Sequence, residues 1–359
     1  MTDDYLCSFT NKVKGLSGIG VYKMPGDFVA GYTEETEKVV DAIRKSGIEP
    51  VNIAIFSEPF AGKTTFLNHI YAIFRGRGAR ISISHSDDIS YLKQHLKDIR
   101  ESIIFIDDCH LLYDRKVDGF EELKDLLDFI GESTEKIFIT SWNIFSWNYL
   151  NKTHHIEKHF PCRIELPEFG VEQIRSVLLD PYISGDILFE SGEKNGIEHV
   201  LEFKSYTLNL KRMDKNINIP YPNFHYNLLK EKLSFKKKAT PDEVAFTKIK
   251  ENSSGNILLS KIIWEKSLQG STIRVTDIYS PSYEVKLEYD TLFIGFLILS
   301  MGNISKKRLE STIGDEIDIT RSLSLLLEHK IIRIKDGICS IRPEAMHHIG
   351  SLARNRRLL

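Results

Sequence analysis

The sequence predicts an α/β protein: five parallel strands in one sheet with helices on both faces, then a helical lid, then a small helix-turn-helix unit closed by a hairpin. Three observations carry this. From residue 51 to residue 166, apolar runs of strand length alternate with stretches whose apolar residues recur at helical spacing. Strands that read as near-continuous apolar runs belong to parallel sheets covered on both faces. Helix signals resume at Thr240-Pro241-Asp242-Glu243 and again after Gly255, as a cap, a proline and an acidic first turn require. Beyond residue 286, three helical stretches precede two short strands around Asp336-Gly337, a strong hairpin signal.

The elements follow in order. Thr33 caps a first helix, with acids in its first turn, Val39, Val40 and Ile43 on the inner side and Gly47 as the stop. Residues 51–56 form the first strand and 63–75 a helix. Residues 79–84, 102–106, 136–140 and 162–166 are the remaining strands, with helices over 91–100, 117–130 and 172–179. The pattern loosens between 181 and 240, where strands are expected at 200–206 and 216–219. In the last part, helices are expected over 291–300, from Ser305 to Thr312 and from Asp318 to His329, then strands over 331–334 and 339–341. The resulting division is an N-terminal arm (1–27), a core (28–170), a lid region with a basic insertion (171–285) and a C-terminal unit (286–359). The apolar set Leu292, Phe296, Leu309, Leu323 and Leu327 predicts that this last unit folds independently.

Composition excludes several classes. The chain has 359 residues, 42% hydrophobic and 27% charged, the balance of a globular protein rather than a disordered one. The most apolar run, 291–301, is shorter than the ~20 residues a spanning helix needs. Residues 1–4 are acidic and no apolar leader follows. Cys7, Cys109, Cys162 and Cys339 lie too far apart for a CxxC motif, and so large a chain does not depend on disulfides. A reduced, cytoplasmic protein without an integral membrane segment is expected. The net charge of −2 hides an asymmetry: residues 201–250 carry eleven Lys/Arg against five Asp/Glu, and residues 286–359 twelve against nine. These basic parts suit nucleic acid, anionic lipid or an acidic partner, or are solvated lysines.

The most informative stretch is Ser57-Glu58-Pro59-Phe60-Ala61-Gly62-Lys63-Thr64-Thr65, which follows a strand and opens a helix. In that context it reads as a Walker A loop for ATP. Backbone N–H groups at a helix N-terminus cradle phosphate oxygens. Lys63 pairs with the β- and γ-phosphates, the Thr64 hydroxyl ligates Mg²⁺, and Gly62 lets the backbone pass close to the anion. Ser57 replaces the usual first glycine, and Phe60 stands where glycine is frequent.

A second motif, Ile103-Ile104-Phe105-Ile106-Asp107-Asp108, is a buried strand ending in two carboxylates, as in a Walker B strand. Asp107 holds Mg²⁺ through its water shell and Asp108 polarises the attacking water. Adjacent acids at a strand end are costly unless a cation is present. A third element is the fourth strand, which ends in Thr140-Ser141-Trp142-Asn143. Asn143 is the candidate to reach the γ-phosphate or the water, with Ser141 as the alternative. His110 is expected at the surface or at a helix cap, and His154 and His155 carry no role.

Strand, Walker A loop, Walker B strand, polar strand tip and a fifth strand at Arg163-Ile164-Glu165-Leu166-Pro167 together resemble AAA+ P-loop ATPases over residues 28–270. With the C-terminal unit read as a winged helix, the chain is similar to archaeal origin-recognition ATPases and to STAND-type signalling ATPases. Asp107-Asp108-Cys109-His110-Leu111-Leu112 resembles bacterial initiator ATPases. Gly119-Phe120-Glu121 with Ser146-Trp147-Asn148-Tyr149-Leu150 resembles a group of prokaryotic AAA ATPases, some fused to membrane modules. The resemblance implies ATP and Mg²⁺ between core and lid, Phe28 and Val29 beside the adenine, Arg163 as an arginine finger, and a nucleotide-dependent homo-oligomer. Departures from the pattern imply slow turnover: Asp108 stands in place of a glutamate base, and Gly255-Asn256-Ile257-Leu258 lacks the lid arginine, with Lys261 a turn away as substitute.

The C-terminal unit implies less. Its reading helix, 318–328, offers Arg321 and two acids, where specific readout uses several base contacts. Lys306, Lys307, Arg308, Lys335, Arg354, Arg356 and Arg357 are the candidate phosphate contacts. Three functions therefore remain: a DNA-associated ATP switch, a signalling or partner-regulating ATPase with a protein partner, and a degenerate P-loop scaffold.

Overall fold

The five expected strands are β1 (Ile53–Ser57), β2 (Gly78–Ser82), β3 (Ile103–Asp107), β4 (Ile137–Asn143) and β5 (Cys162–Glu165). They form one parallel sheet in the order β2-β3-β4-β1-β5. The computed structural model describes residues 31–45, 51–83, 89–183, 185–191, 201–210, 215–224, 239–314 and 316–358. The expected N-terminal arm, Phe28 and Val29 lie outside the described residues.

Alternation along the strands divides the interior in two. Ala54, Ile104, Ile106 and Phe138 point into one apolar cluster, while Ile53, Ile55, Ile103, Phe105, Ile137 and Ile139 point into the other. Successive side chains leave a strand on opposite faces, so a strand apolar throughout needs cover on both. The second cluster is covered by α1 (Thr33–Lys45) and α2 (Lys63–Ile73). The first is covered by α3 (Ile89–Asp98), α4 (Glu121–Glu132) and α5 (Ile144–His154). Burying each large side chain contributes ~1.5–3 kcal/mol.

The fourth helix begins at Glu121 rather than at 117. Asp118 takes a left-handed φ of 61°, and the Gly119 amide closes a turn onto the Lys116 carbonyl. A Cβ on Gly119 would meet the Asp114 carbonyl at 2.4 Å, so this turn requires glycine.

After β5 come α6 (Val171–Leu179), β6 (Leu188–Glu190), and the antiparallel pair β7 (Leu201–Leu210) and β8 (Lys215–Phe224). Both strands run longer than the sequence predicts. The lid helices are α7 (Pro241–Ser253) and α8 (Ile257–Ser267), followed by β9 (Leu268–Gln269) and β10 (Thr272–Arg274). The expected cap is present: the Glu243 carboxylate accepts from the Thr240 amide at 3.0 Å. Gly255, at φ 72°, turns the chain between α7 and α8 and lies so close to Phe169 that a Cβ would sit 2.8 Å from its carbonyl.

The C-terminal unit contains α9 (Tyr289–Met301), β11 (Ile304–Ser305), α10 (Lys306–Ile313), α11 (Ile319–Glu328), β12 (Ile332–Lys335), β13 (Ile338–Ile341) and α12 (Met346–Asn355). Its strands form a sheet ordered β11-β13-β12, compatible with the expected helix-turn-helix and hairpin. The expectation of an apolar set closed on itself is corrected. Leu292, Phe296, Leu309 and Leu323 share one cluster with Ala54, Trp142 and Phe145 of the core, and Leu327 is 40% exposed. The cause is α9, which is apolar around its whole circumference and buries ten of its residues; such a helix needs partners on every side.

Candidate phosphate-binding site

The loop between β1 and α2 holds the residues expected to form a Walker A motif, Ser57 to Thr65. Gly62 is the residue before the helix and takes φ 98°. Phe60 also has positive φ, 66°. For an L-residue the left-handed region costs ~1 kcal/mol, so the missing glycine is replaced at the expense of strain. The loop is held from outside. The Tyr32 hydroxyl donates to the Ala61 carbonyl at 2.8 Å, and the Asn256 amide of α8's N-terminus donates to the Pro59 carbonyl at 2.8 Å. The Ser57 hydroxyl turns back onto the Glu58 carbonyl at 3.1 Å.

Lys63 is buried under this loop. Its ammonium donates to the Glu58 carbonyl at 2.8 Å and to the Ser57 carbonyl at 3.3 Å. Burial pulls its pKa down to about 8, opposed by the attraction of Asp108, Asp107 and Glu58. Thr64 and Thr65 are exposed in the first turn of α2.

One strand separates β1 from β3, so the carboxylates approach the loop across β4. Asp107 is 1% exposed. One of its oxygens accepts from the Ser141 hydroxyl, the other from the Arg80 guanidinium at 3.0 Å. The Ser141 oxygen in turn accepts from the Asp108 amide at 2.9 Å. Asp108 takes a left-handed φ of 59°. Burial first, and then the charge of Asp107, push its pKa up to about 6, while Lys63 and Arg80 hold it down.

The strand tip divides its work differently from the expectation. Ser141 stands at the carboxylate pair. The Asn143 side chain accepts from the Phe145 amide, capping α5, and donates to the Leu299 carbonyl at 2.8 Å; it is directed at α9. Arg163 lies exposed in β5, opposite Ala54 of β1, apart from the loop and the acids. Burial pulls the Lys261 pKa down, opposed by the charges of Glu265 and Asp180. His110, expected at the surface, is buried, with its Nδ1 3.9 Å from an Asp108 oxygen.

Three residues at this site escape sequence reasoning: Tyr32, Arg80 and Asn256. Asn256 stands inside the segment searched for a lid arginine, and an asparagine directly after a glycine is the available signal. Arg80 interrupts an apolar strand, which is the only trace it leaves.

The donor set suits a hard cation. Thr64, Asp107 and Asp108 offer oxygen only, and Mg²⁺ is held by one or two carboxylates together with substrate phosphates. The upward shift of Asp108 beside Asp107 marks a place where added positive charge is favourable.

No protein-family model matches this sequence, and no curated protein matches it. Among solved structures the chain is similar to the RuvB Holliday junction branch migration motor of Thermotoga maritima, 13% identical with a TM-score of 0.41, over 89% of this chain and 94% of that one. A point mutant of the same RuvB gives 14% identity and a TM-score of 0.42 over 89% and 94%. Among the described residues, no helix is long and apolar enough to cross a membrane.

Proposed function

We propose that this chain is an ATP-binding ATPase of the AAA+ type that works as a slow, nucleotide-controlled switch. The observation that carries the reading is the buried Lys63 ammonium, which lies under a strand-to-helix loop and within electrostatic reach of Asp107 and Asp108 at the end of β3, one strand away from β1. In the proposed ATP-bound state Lys63 leaves the Glu58 carbonyl for the β- and γ-phosphates. Loop amides and the N-terminus of α2 hold the remaining phosphate charge. Thr64 and Asp107 would hold Mg²⁺, which when bound neutralises charge developing on the transferred phosphoryl group.

Asp108 orients the attacking water and accepts its proton. A base pKa near the working pH serves this step, and about 6 is closer to it than an ordinary aspartate. The single methylene of aspartate shortens its reach and supports slow turnover. Arg163, exposed on an edge strand, is suited to act only on a neighbouring copy, as an arginine finger in a nucleotide-dependent oligomer.

The C-terminal unit is the proposed output. DNA is its first candidate partner, through the exposed Lys307, Lys335, Arg354, Arg356 and Arg357 and the half-buried Lys306 beside Glu310. Arg308 leaves that set because it pairs with Asp114 at 2.6 Å. A signalling role with a protein partner is favoured by a different observation: Asn143, Ser146 and Asp114 of the core all bond to the C-terminal unit, a geometry suited to transmitting nucleotide state. ATP titration of the wild type and of Lys63→Ala, with circular dichroism as folding control, tests the reading. Equal affinities would overturn it.

A further inference from the structure

The carboxylate proposed to hold Mg²⁺ already has a cation. Asp107 is almost wholly buried, and the Arg80 guanidinium approaches one of its oxygens at 3.0 Å from the adjacent edge strand, while Ser141 supplies a hydroxyl to the other. Arg80 is 29% exposed at its side chain, so its outer end remains in contact with water and can withdraw. Lys63 and Arg80 balance Asp107 and Asp108 charge for charge. A buried carboxylate pair otherwise calls for a divalent ion; this one is neutral without it.

We propose that Arg80 is a built-in counter-cation that holds the metal position of Asp107 in the resting state and must be displaced before a divalent ion is captured. This inference rests on the P-loop reading, which supplies the reason for a metal at Asp107. Arg80 touches neither nucleotide nor the attacking water in this account. It is a positioning residue that sets how tightly, and in which state, the site takes a divalent cation. Groups that hydrogen-bond a metal-binding carboxylate change metal affinity ~10- to 100-fold. Here the group also carries a positive charge, so its presence lowers affinity for the metal rather than raising it.

The first test needs no nucleotide. Thermal unfolding of the purified full chain is followed in EDTA and in millimolar Mg²⁺, for wild type, Arg80→Gln, Arg80→Lys and the double variant Arg80→Gln/Asp107→Asn. Wild type is expected to melt alike in both conditions, and Arg80→Lys to gain less from Mg²⁺ than Arg80→Gln does. Arg80→Gln is expected to melt lower in EDTA and to be restored by Mg²⁺, because the uncompensated carboxylates recruit the ion. The double variant should lose that metal dependence. A merely structural Arg80 would lower the melting temperature equally in both conditions, and that result would overturn the proposal.

The second test reads the metal directly. Mn²⁺ is titrated into the ADP-loaded protein and free ion is counted by electron paramagnetic resonance. Arg80→Gln should bind Mn²⁺ about tenfold more tightly than wild type. Unchanged or weaker Mn²⁺ binding would refute the role of Arg80. If Arg80→Gln folds in neither EDTA nor Mg²⁺, Arg80→Lys decides: its shorter, less well-anchored ammonium should give Mn²⁺ binding tighter than wild type, and equality would overturn the proposal. If wild type and variants bind no ADP while Mg²⁺ still restores Arg80→Gln, the counter-cation stands and the nucleotide reading fails.

Discussion

The Asn143 side-chain amide donates to the Leu299 carbonyl at 2.8 Å, joining the tip of β4 to the last turn of α9 across 156 positions of sequence. The last carbonyls of a helix lack intrahelical partners, so this bond satisfies a group that burial would otherwise leave at a cost of ~1–3 kcal/mol. Two residues before it on the same strand, Ser141 bonds to Asp107. One strand end therefore touches both the carboxylate pair and the C-terminal unit.

Lys63→Ala should retain its circular dichroism, because burial already disfavours the charged ammonium that it removes. Hydrogen bonds to charged groups contribute ~1.5–3 kcal/mol, so ATP affinity should fall ~10- to 100-fold. Calorimetric titration checks this.

ATP binding should take up a proton above the Lys63 pKa of about 8. The free site is then increasingly neutral, and phosphate charge recharges it. Binding enthalpies measured near pH 9 in buffers of different ionisation heat should differ for wild type and agree for Lys63→Ala. With the folded pKa below the ordinary 10.5, the unfolded chain binds more protons between these values. Lys63 therefore makes stability rise with pH from about 8 upward.

Asp108→Asn should keep nucleotide binding while slowing hydrolysis, and the acid limb of the pH–rate profile near 6 should disappear. The stability sign is opposite to that of a paired carboxylate. The folded pKa lies above the ordinary 3.8, so the native state binds more protons between 3.8 and about 6 and stability falls as pH rises through that window. Denaturant unfolding of wild type and Asp108→Asn at pH 4 and pH 7 should show this fall in wild type alone.

Arg308→Ala should destabilise the chain by about 1.5–3 kcal/mol, since it removes a partly buried pair with Asp114 and a bond to the Leu111 carbonyl. Removing residues 286–359 should have a larger effect, because it strips the Phe296 ring from Phe145 and bares the other apolar side chains of their shared cluster. Chemical denaturation of the first and solubility of the second check this.

If DNA is the partner, its affinity should fall steeply as salt rises, and replacing Lys306 and Lys307 together should weaken binding and flatten that slope. Fluorescence anisotropy at several salt concentrations reads both. No binding at low salt would favour a protein partner.

The sheet and the strand-to-helix turn at Gly62 were legible in the sequence because local rules set them. Alternation in β1, β3 and β4 follows from backbone geometry, and Gly62-Lys63-Thr64 between strand and helix is a contiguous signal. The Thr240 cap was readable for the same reason. Arg80 at Asp107, Asn256 at Pro59 and Asn143 at Leu299 join residues 27, 197 and 156 positions apart. Local sequence marks these side chains faintly at most, and names none of their partners. Likewise the apolar run 291–301 announced a buried helix but not its partner. By itself the sequence determined which segments are strands and helices and where the glycine-lysine-threonine turn between β1 and α2 stands. Tertiary structure alone decided which polar groups meet, because a buried donor or acceptor must be satisfied by whatever the packing of distant elements brings within about 3 Å.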